Sequence, residues 1–139
     1  MTDQRMVDPT LLASGDPVRL SGARCAECGT VVFPAQDGCP RCSHRPMEAH
    51  ALPGAGVVWT WTTQHFAPKP PFRPSSEPWS PKSIGYVDLG EVLVEGWLVP
   101  SARDWAIGDA VRLTTVPAWT DETGDVHTFA FEYVDEVQA

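Results

Sequence analysis

Apolar and polar positions alternate most clearly in the second half of the chain. Val57 to Gln64 (VVWTWTTQ) is rich in β-branched and aromatic residues, with Trp59 and Trp61 expected on one face, and predicts a strand. Ser83 to Leu89 predicts a second strand, Asp88-Leu89-Gly90-Glu91 a hairpin turn and Val92 to Val99 the returning strand. Ala106-Ile107-Gly108-Asp109 reads as another turn, followed by a strand from Ala110 to Trp119. Asp121 to Asp125 turns the chain again, and Val126 to Val134 alternates as a last strand. Strands of this number and size predict a small closed barrel of the five-stranded OB type, and a mostly β fold class.

The first half reads differently. Residues 1–20 hold one short helical candidate, with Asp8 as its cap, Pro9 at the first helical position, and Leu11 and Leu12 as its apolar contacts. Such a helix is too short to stand alone and must dock on something. Residues 21–53 form a separate compact module, of which 48–53 read as a connector, and residues 54–139 form the barrel domain. Within that domain a Pro-rich segment from Phe66 to Lys82 carries Pro68, Pro70, Pro71, Pro74, Pro78 and Pro81. It is neither a helix nor a central strand, and a long irregular loop in a small domain is usually functional. No internal repeat is apparent.

All the cysteines lie in the middle module: Cys25, Cys28, Cys39 and Cys42, spaced C-x2-C-x10-C-x2-C. Each C-x2-C places two thiolates on one tight turn, and two facing turns build a tetrahedral S4 site suited to Zn2+. Gly29 supplies the positive φ that such a turn often needs, Pro40 stiffens the second turn, and Thr30 to Pro34 reads as a strand leaving the first. Iron in a rubredoxin-like site is the chemical alternative, because the same cage accepts it. Paired disulfides are disfavoured, since the start of the chain has no apolar secretory segment. Thioredoxin-like chemistry lacks its βαβ surroundings. With four protein ligands the metal has no open position, so its expected role is structural. His44 and His50 lie nearby, but the shell is complete without them.

Charge narrows the partners. The 139-residue chain carries 18 acids against 10 Lys and Arg, a net charge of -8, which disfavours nucleic acid even for an OB-type barrel with aromatic residues. No run of 18 apolar residues is available to span a membrane. The expected setting is the cytoplasm. His65 and His127 are the histidines of the β half, and neither belongs to a recognisable nucleophile motif, so catalysis by this chain alone is not expected.

The order of parts resembles the DUF35 family, a rubredoxin-like zinc ribbon joined to an OB-fold. The resemblance is carried by Cys25, Cys28, Gly29, Phe33, Pro34, Cys39, Pro40, Cys42, Gly54, Gly56, Val58, Gly85 and Gly108, and runs from about residue 8 to residue 134. It implies an accessory subunit for a thiolase-like, lipid-transfer-protein-like enzyme acting on acyl-CoA, with a two-plus-two heterotetramer as the expected assembly. The first reaction implied for the partner is retro-aldol cleavage of a steroid-type β-hydroxyacyl-CoA. A thiolase-fold acyltransferase partner and a free-standing acyl-CoA binder are the alternatives. In the steroid pathways the DUF35 unit is often fused to a hydratase domain, which this chain does not contain.

The Pro-rich segment supplies the expected contact residues. Phe66, Phe72 and Trp79 are spaced as aromatic anchors for a partner. Lys69, Arg73 and Lys82 form a basic cluster in an otherwise acidic half, suited to CoA phosphates or to an acidic patch on the partner. Trp59, Trp61, Trp97 and Trp119 fall in strand patterns and are expected in the core or on a barrel face. Trp105 lies in a loop with no evident place in a core.

Overall fold

A computed structural model describes residues 5–13, 17–66, 69 and 80–135. Two small sheets are joined through one apolar core. Barrel strands β6 (Ala55–Gln64), β7 (Lys82–Asp88), β8 (Leu93–Val99), β9 (Ala110–Asp121) and β10 (Gly124–Tyr133) follow the predicted pattern closely. β6 pairs antiparallel with β7, β7 with β8 and β9 with β10; β6 also pairs antiparallel with β9, and β8 meets β10 in parallel at Trp97 to Val99. Those pairings close the sheet on itself, as the OB reading requires.

The inward positions are Val58, Val87, Val94, Leu98, Val111 and Phe131, all 2% exposed or less. One departure from simple alternation occurs in β6, where the register shifts between Val58 and Thr60. With Val58 inward, Trp59 points out at 55% exposure, and the extra residue shifts the alternation so that Trp61 packs against the core; the two do not share a face. Trp105 is a second correction. The loop from Pro100 to Asp109 folds it into the barrel core, where its indole N–H donates to the Pro100 carbonyl at 3.1 Å. Tyr133 meets its ring edge-on, and the Arg103 guanidinium lies 3.4 Å from the centre of the Tyr133 ring. A loop aromatic with a satisfied polar tip thus fills a space that the strands leave open.

The smaller sheet is built on β3 (Arg19–Arg24), flanked by β2 (Leu12–Ala13), β4 (Val31–Val32) and β5 (Glu48–Ala51). The expected connector at 48–53 is therefore a strand over Glu48–Ala51, followed by Leu52, which is 1% exposed. The expected N-terminal helix is a single 3-10 turn, Pro9–Leu11. Its cap is as anticipated, with the Asp8 carboxylate accepting from the Thr10 N–H at 3.0 Å. The stretch is too short to nucleate an α-helix, and Leu12 continues directly into a strand.

The two halves meet in several places. Strand β1 (Arg5–Met6) pairs in parallel with β10, while β2, a few residues later, pairs with β3 of the small sheet. Phe33 packs edge-on against Phe129 with ring centres 5.9 Å apart. Leu20 and Leu52 join the same core cluster as the barrel's Val58 and Leu98. His50 on β5 meets the Glu91 carboxylate of the β7–β8 turn at 2.8 Å. No helix among the described residues is long and apolar enough to cross a membrane.

Candidate metal centre and docking surface

Two turns of matching design bring the cysteines together. In the first, the Cys25 carbonyl accepts from the Gly29 N–H at 2.9 Å, and the Cys25 N–H donates to the Thr30 carbonyl at 2.8 Å. In the second, the Cys39 carbonyl accepts from the Ser43 N–H at 2.9 Å, and the Cys39 N–H donates to the His44 carbonyl at 3.0 Å. The left-handed position falls on Gly29 (φ 79°) in one and on Ser43 (φ 69°) in the other. Glycine at the first was legible in the sequence; serine at the second gave no signal, because only the repeated turn geometry shows that it does the same job.

All four sulfurs lie within 4.8 Å of one another, with Cys25 Sγ 3.5 Å from Cys42 Sγ and Cys28 Sγ 3.6 Å from Cys39 Sγ. A tetrahedral zinc site with Zn–S bonds of about 2.3 Å has sulfurs about 3.8 Å apart. The cage is thus of the right size and donor type for Zn2+, and all four thiols are free of disulfides. Cys25 and Cys39 are buried, whereas Cys28 and Cys42 reach the surface.

The thiols differ in acidity. The Thr30 hydroxyl, 3.1 Å from Cys28 Sγ, and then the Thr30 backbone bring Cys28 down to about 6. The Cys42 N–H, 3.4 Å away, followed by that of Arg41, lowers Cys39. The His44 backbone pulls Cys42 down as well, but the sulfurs of Cys25, Cys28 and Cys39 together with burial push it up to about 12. Four thiolates in one cage repel, and a divalent cation is what permits all of them to ionise together. N–H groups aimed at Cys25 and Cys39 stabilise the charge that remains on the cluster.

The expected contact residues are only partly placed. Phe66 is 85% exposed, Lys69 is exposed, and Lys82 is partly buried with its ammonium 5.7 Å from the centre of the Trp97 ring. Phe72, Arg73 and Trp79 lie outside the described residues. Further apolar surface lies on the outer side of β6, β7 and β8: Trp59, one of the tryptophans expected in the core or on a barrel face, with Tyr86 (42% exposed) and Leu93 (39%), which the sequence did not single out. Tyr86 and Leu93 also line a groove with Leu11, Phe33 and Pro34, so ribbon and barrel present one continuous surface there. Neither His65 nor His127 has a carboxylate partner among the described residues.

Comparison with known proteins agrees with this architecture. Residues 15–48 match the family model described as the ChsH2 rubredoxin-like zinc ribbon domain, and residues 49–116 match the ChsH2 C-terminal OB-fold domain. The chain is 38% identical over 117 residues to a DUF35 domain-containing scaffold protein of Methanocaldococcus jannaschii, covering 82% of this chain and 79% of the relative. Among solved structures, it superposes on a chain of the Ltp2-ChsH2(DUF35) aldolase with a TM-score of 0.61 and 26% identity, over 83% of this chain and 84% of that one. A DUF35 protein of unknown function from Sulfolobus solfataricus has the same fold, with a TM-score of 0.52 and 11% identity, over 84% of this chain and 76% of that one. Ribbon and barrel both correspond, and the chain belongs to the DUF35 family.

Proposed function

We propose that this chain is the non-catalytic partner subunit of a thiolase-like, lipid-transfer-protein-like enzyme that acts on acyl-CoA thioesters. The observation that carries this reading is the likeness, across ribbon and barrel together, to a chain of the Ltp2-ChsH2(DUF35) aldolase. The scaffold description of the Methanocaldococcus relative supports the same class of role. The chemistry of the chain agrees. Cys25, Cys28, Cys39 and Cys42 would hold Zn2+ in a closed shell that leaves no place for a substrate or an activated water. Bound there, the metal supplies rigidity and folding energy to a ribbon with little apolar core of its own. Docking falls to the outer barrel face around Trp59, Tyr86 and Leu93 and to the Pro-rich segment with Phe66, Phe72 and Trp79. Lys69, Arg73 and Lys82 would face the CoA phosphates or an acidic patch of the partner.

Retro-aldol cleavage of a steroid-type β-hydroxyacyl-CoA is the reaction we assign to the complex. Its setting is the cytoplasm and its assembly a two-plus-two heterotetramer, as the twofold symmetry of a dimeric partner would impose. Co-expression with a thiolase-like, lipid-transfer-protein-like protein from the same organism, followed by size-exclusion chromatography, tests the pairing. A single peak holding both chains, with cleavage activity that neither chain shows alone, is the expected result. Separate elution, or thioester cleavage by the purified DUF35 chain, would overturn it. Acyl transfer without cleavage would keep the pairing and replace the reaction. Metal analysis of protein grown in metal-controlled medium should return one zinc per chain, and a red, iron-containing product would assign iron instead.

A further inference from the structure

Arg5, Arg45, Arg103 and Arg112 each meet a carboxylate, as expected in so acidic a chain. Arg19 does not. It forms no ion pair among the described residues, and its one hydrogen bond there runs from Nη1 to the neighbouring Val18 carbonyl at 2.9 Å. Its side chain is nevertheless partly buried, at the seam between the ribbon and the barrel. The guanidinium lies against Gly54, where a Cβ would stand 2.6 Å from Nη1 and 2.7 Å from Cζ. Any other residue at position 54 would displace the guanidinium.

Arg19 lines a cleft of about 640 Å³ together with Arg112 and Gly54 to Gly56. Ala55, next to the glycine that the Arg19 guanidinium covers, pairs across the sheet with Arg112. Arg112 spends its Nε on Glu132 at 2.6 Å and makes no further bond among the described residues. The lining of the cleft thus includes one arginine paired with a carboxylate and one with no carboxylate partner among the described residues. Planar, fork-shaped donors of this kind recognise carboxylate and phosphate oxygens in pairs.

We infer that Arg19 and Arg112, at the seam of ribbon and barrel, form a binding site for an oxyanion carried by a small molecule, phosphoryl or carboxylate. The site is apart from the Pro-rich segment and independent of which enzyme the chain supports. An anion seated there would bridge β3 of the ribbon to β6 and β9 of the barrel, so occupancy would tighten the two modules against each other.

The zinc-loaded full chain should be titrated with pyrophosphate and, separately, with citrate at constant ionic strength, following backbone amides and arginine Nε–H signals by NMR. Saturable shifts at Gly54, Ala55 and the Arg19 Nε–H are expected with at least one of the two, and the stronger ligand identifies phosphate or carboxylate as the source. Arg19→Gln should weaken that binding about tenfold or more, since a charge-assisted pair of hydrogen bonds is lost. Arg19→Lys, which keeps the charge but not the fork, should weaken it less. Arg45→Gln, on the far turn of the ribbon, should leave it unchanged. Absence of saturable shifts with either anion would overturn the site, as would equal weakening by Arg19→Gln and Arg45→Gln.

Discussion

The barrel and the ribbon reach a fixed structure by different means. The barrel buries Val58, Val87, Val94, Leu98, Val111 and Phe131 in a common interior and closes every strand on a neighbour. The ribbon contributes the buried Leu20 and Leu52 to that core, with Leu12, Val31 and Phe33 packed against it; otherwise it is organised around four sulfurs. A barrel of this size holds together by removing apolar area from water, whereas a ribbon of some thirty residues has too little area to do so. Its order depends on a cation that neutralises the thiolates. The two halves of one continuous surface should therefore fail under different insults.

The largest effect should come from removing the metal. Chelation, or Cys25→Ser, is expected to collapse the amide dispersion of residues 21–47 in NMR spectra while barrel signals such as those of Val87 and Val111 persist. Simultaneous loss of both sets would show that the barrel has no independent stability. The reverse insult is Trp105→Ala. The indole is 3% exposed in the barrel core, and its removal should cost about 3–5 kcal/mol in urea unfolding, with the metal still bound. A cost under about 1 kcal/mol would mean that the loop does not plug the barrel.

Acid should also act on one half first. Metal binding requires thiolates, and the apo cage holds protons unevenly, with Cys28 near about 6 and Cys42 near about 12. Binding must expel those protons, so zinc affinity should fall as pH drops from 8 to 6, measured by competition with a chromophoric chelator. A pH-independent affinity would contradict the four-thiolate assignment. The barrel has a gentler counterpart at Arg5 and Asp121. The Arg5 guanidinium, 2.8 Å away, and the Thr123 N–H hold the Asp121 carboxyl well below its ordinary 3.8. A depressed carboxyl stabilises the fold above about pH 4 and ceases to do so as pH falls toward its native value. The smallest change concerns the second cysteine turn. Ser43 occupies a left-handed position, so Ser43→Gly should stabilise the ribbon by about 1 kcal/mol, read as a raised thermal midpoint of the ribbon signals. A lowered midpoint would mean that the hydroxyl has a role the turn geometry does not reveal.

Much of this was legible in the chain itself. Five barrel strands, their turns at Gly90, Gly108 and Gly124, and the spacing that lets the four cysteines converge are all encoded within short windows. Alternation, turn residues and C-x2-C pairs act over a few residues, which is why they survive without knowledge of the fold. The readings that changed each involve a partner distant in sequence. The bulge at Trp59 depends on the register against β7, the core role of Trp105 on Tyr133, and the strand at Glu48–Ala51 on β3. The N-terminal segment became a 3-10 turn between two short strands because β10 and β3 offered edges on either side of it.

The amino-acid sequence alone determined a metal-clamped module followed by a small barrel, because periodicity and ligand spacing are properties of local chain geometry. Only the tertiary structure decided how the two are joined, through Phe33 on Phe129, β1 along β10 and the Arg19 guanidinium against Gly54. Those contacts bring together residues tens of positions apart, and they exist only after the barrel has closed and its edges and clefts have taken shape.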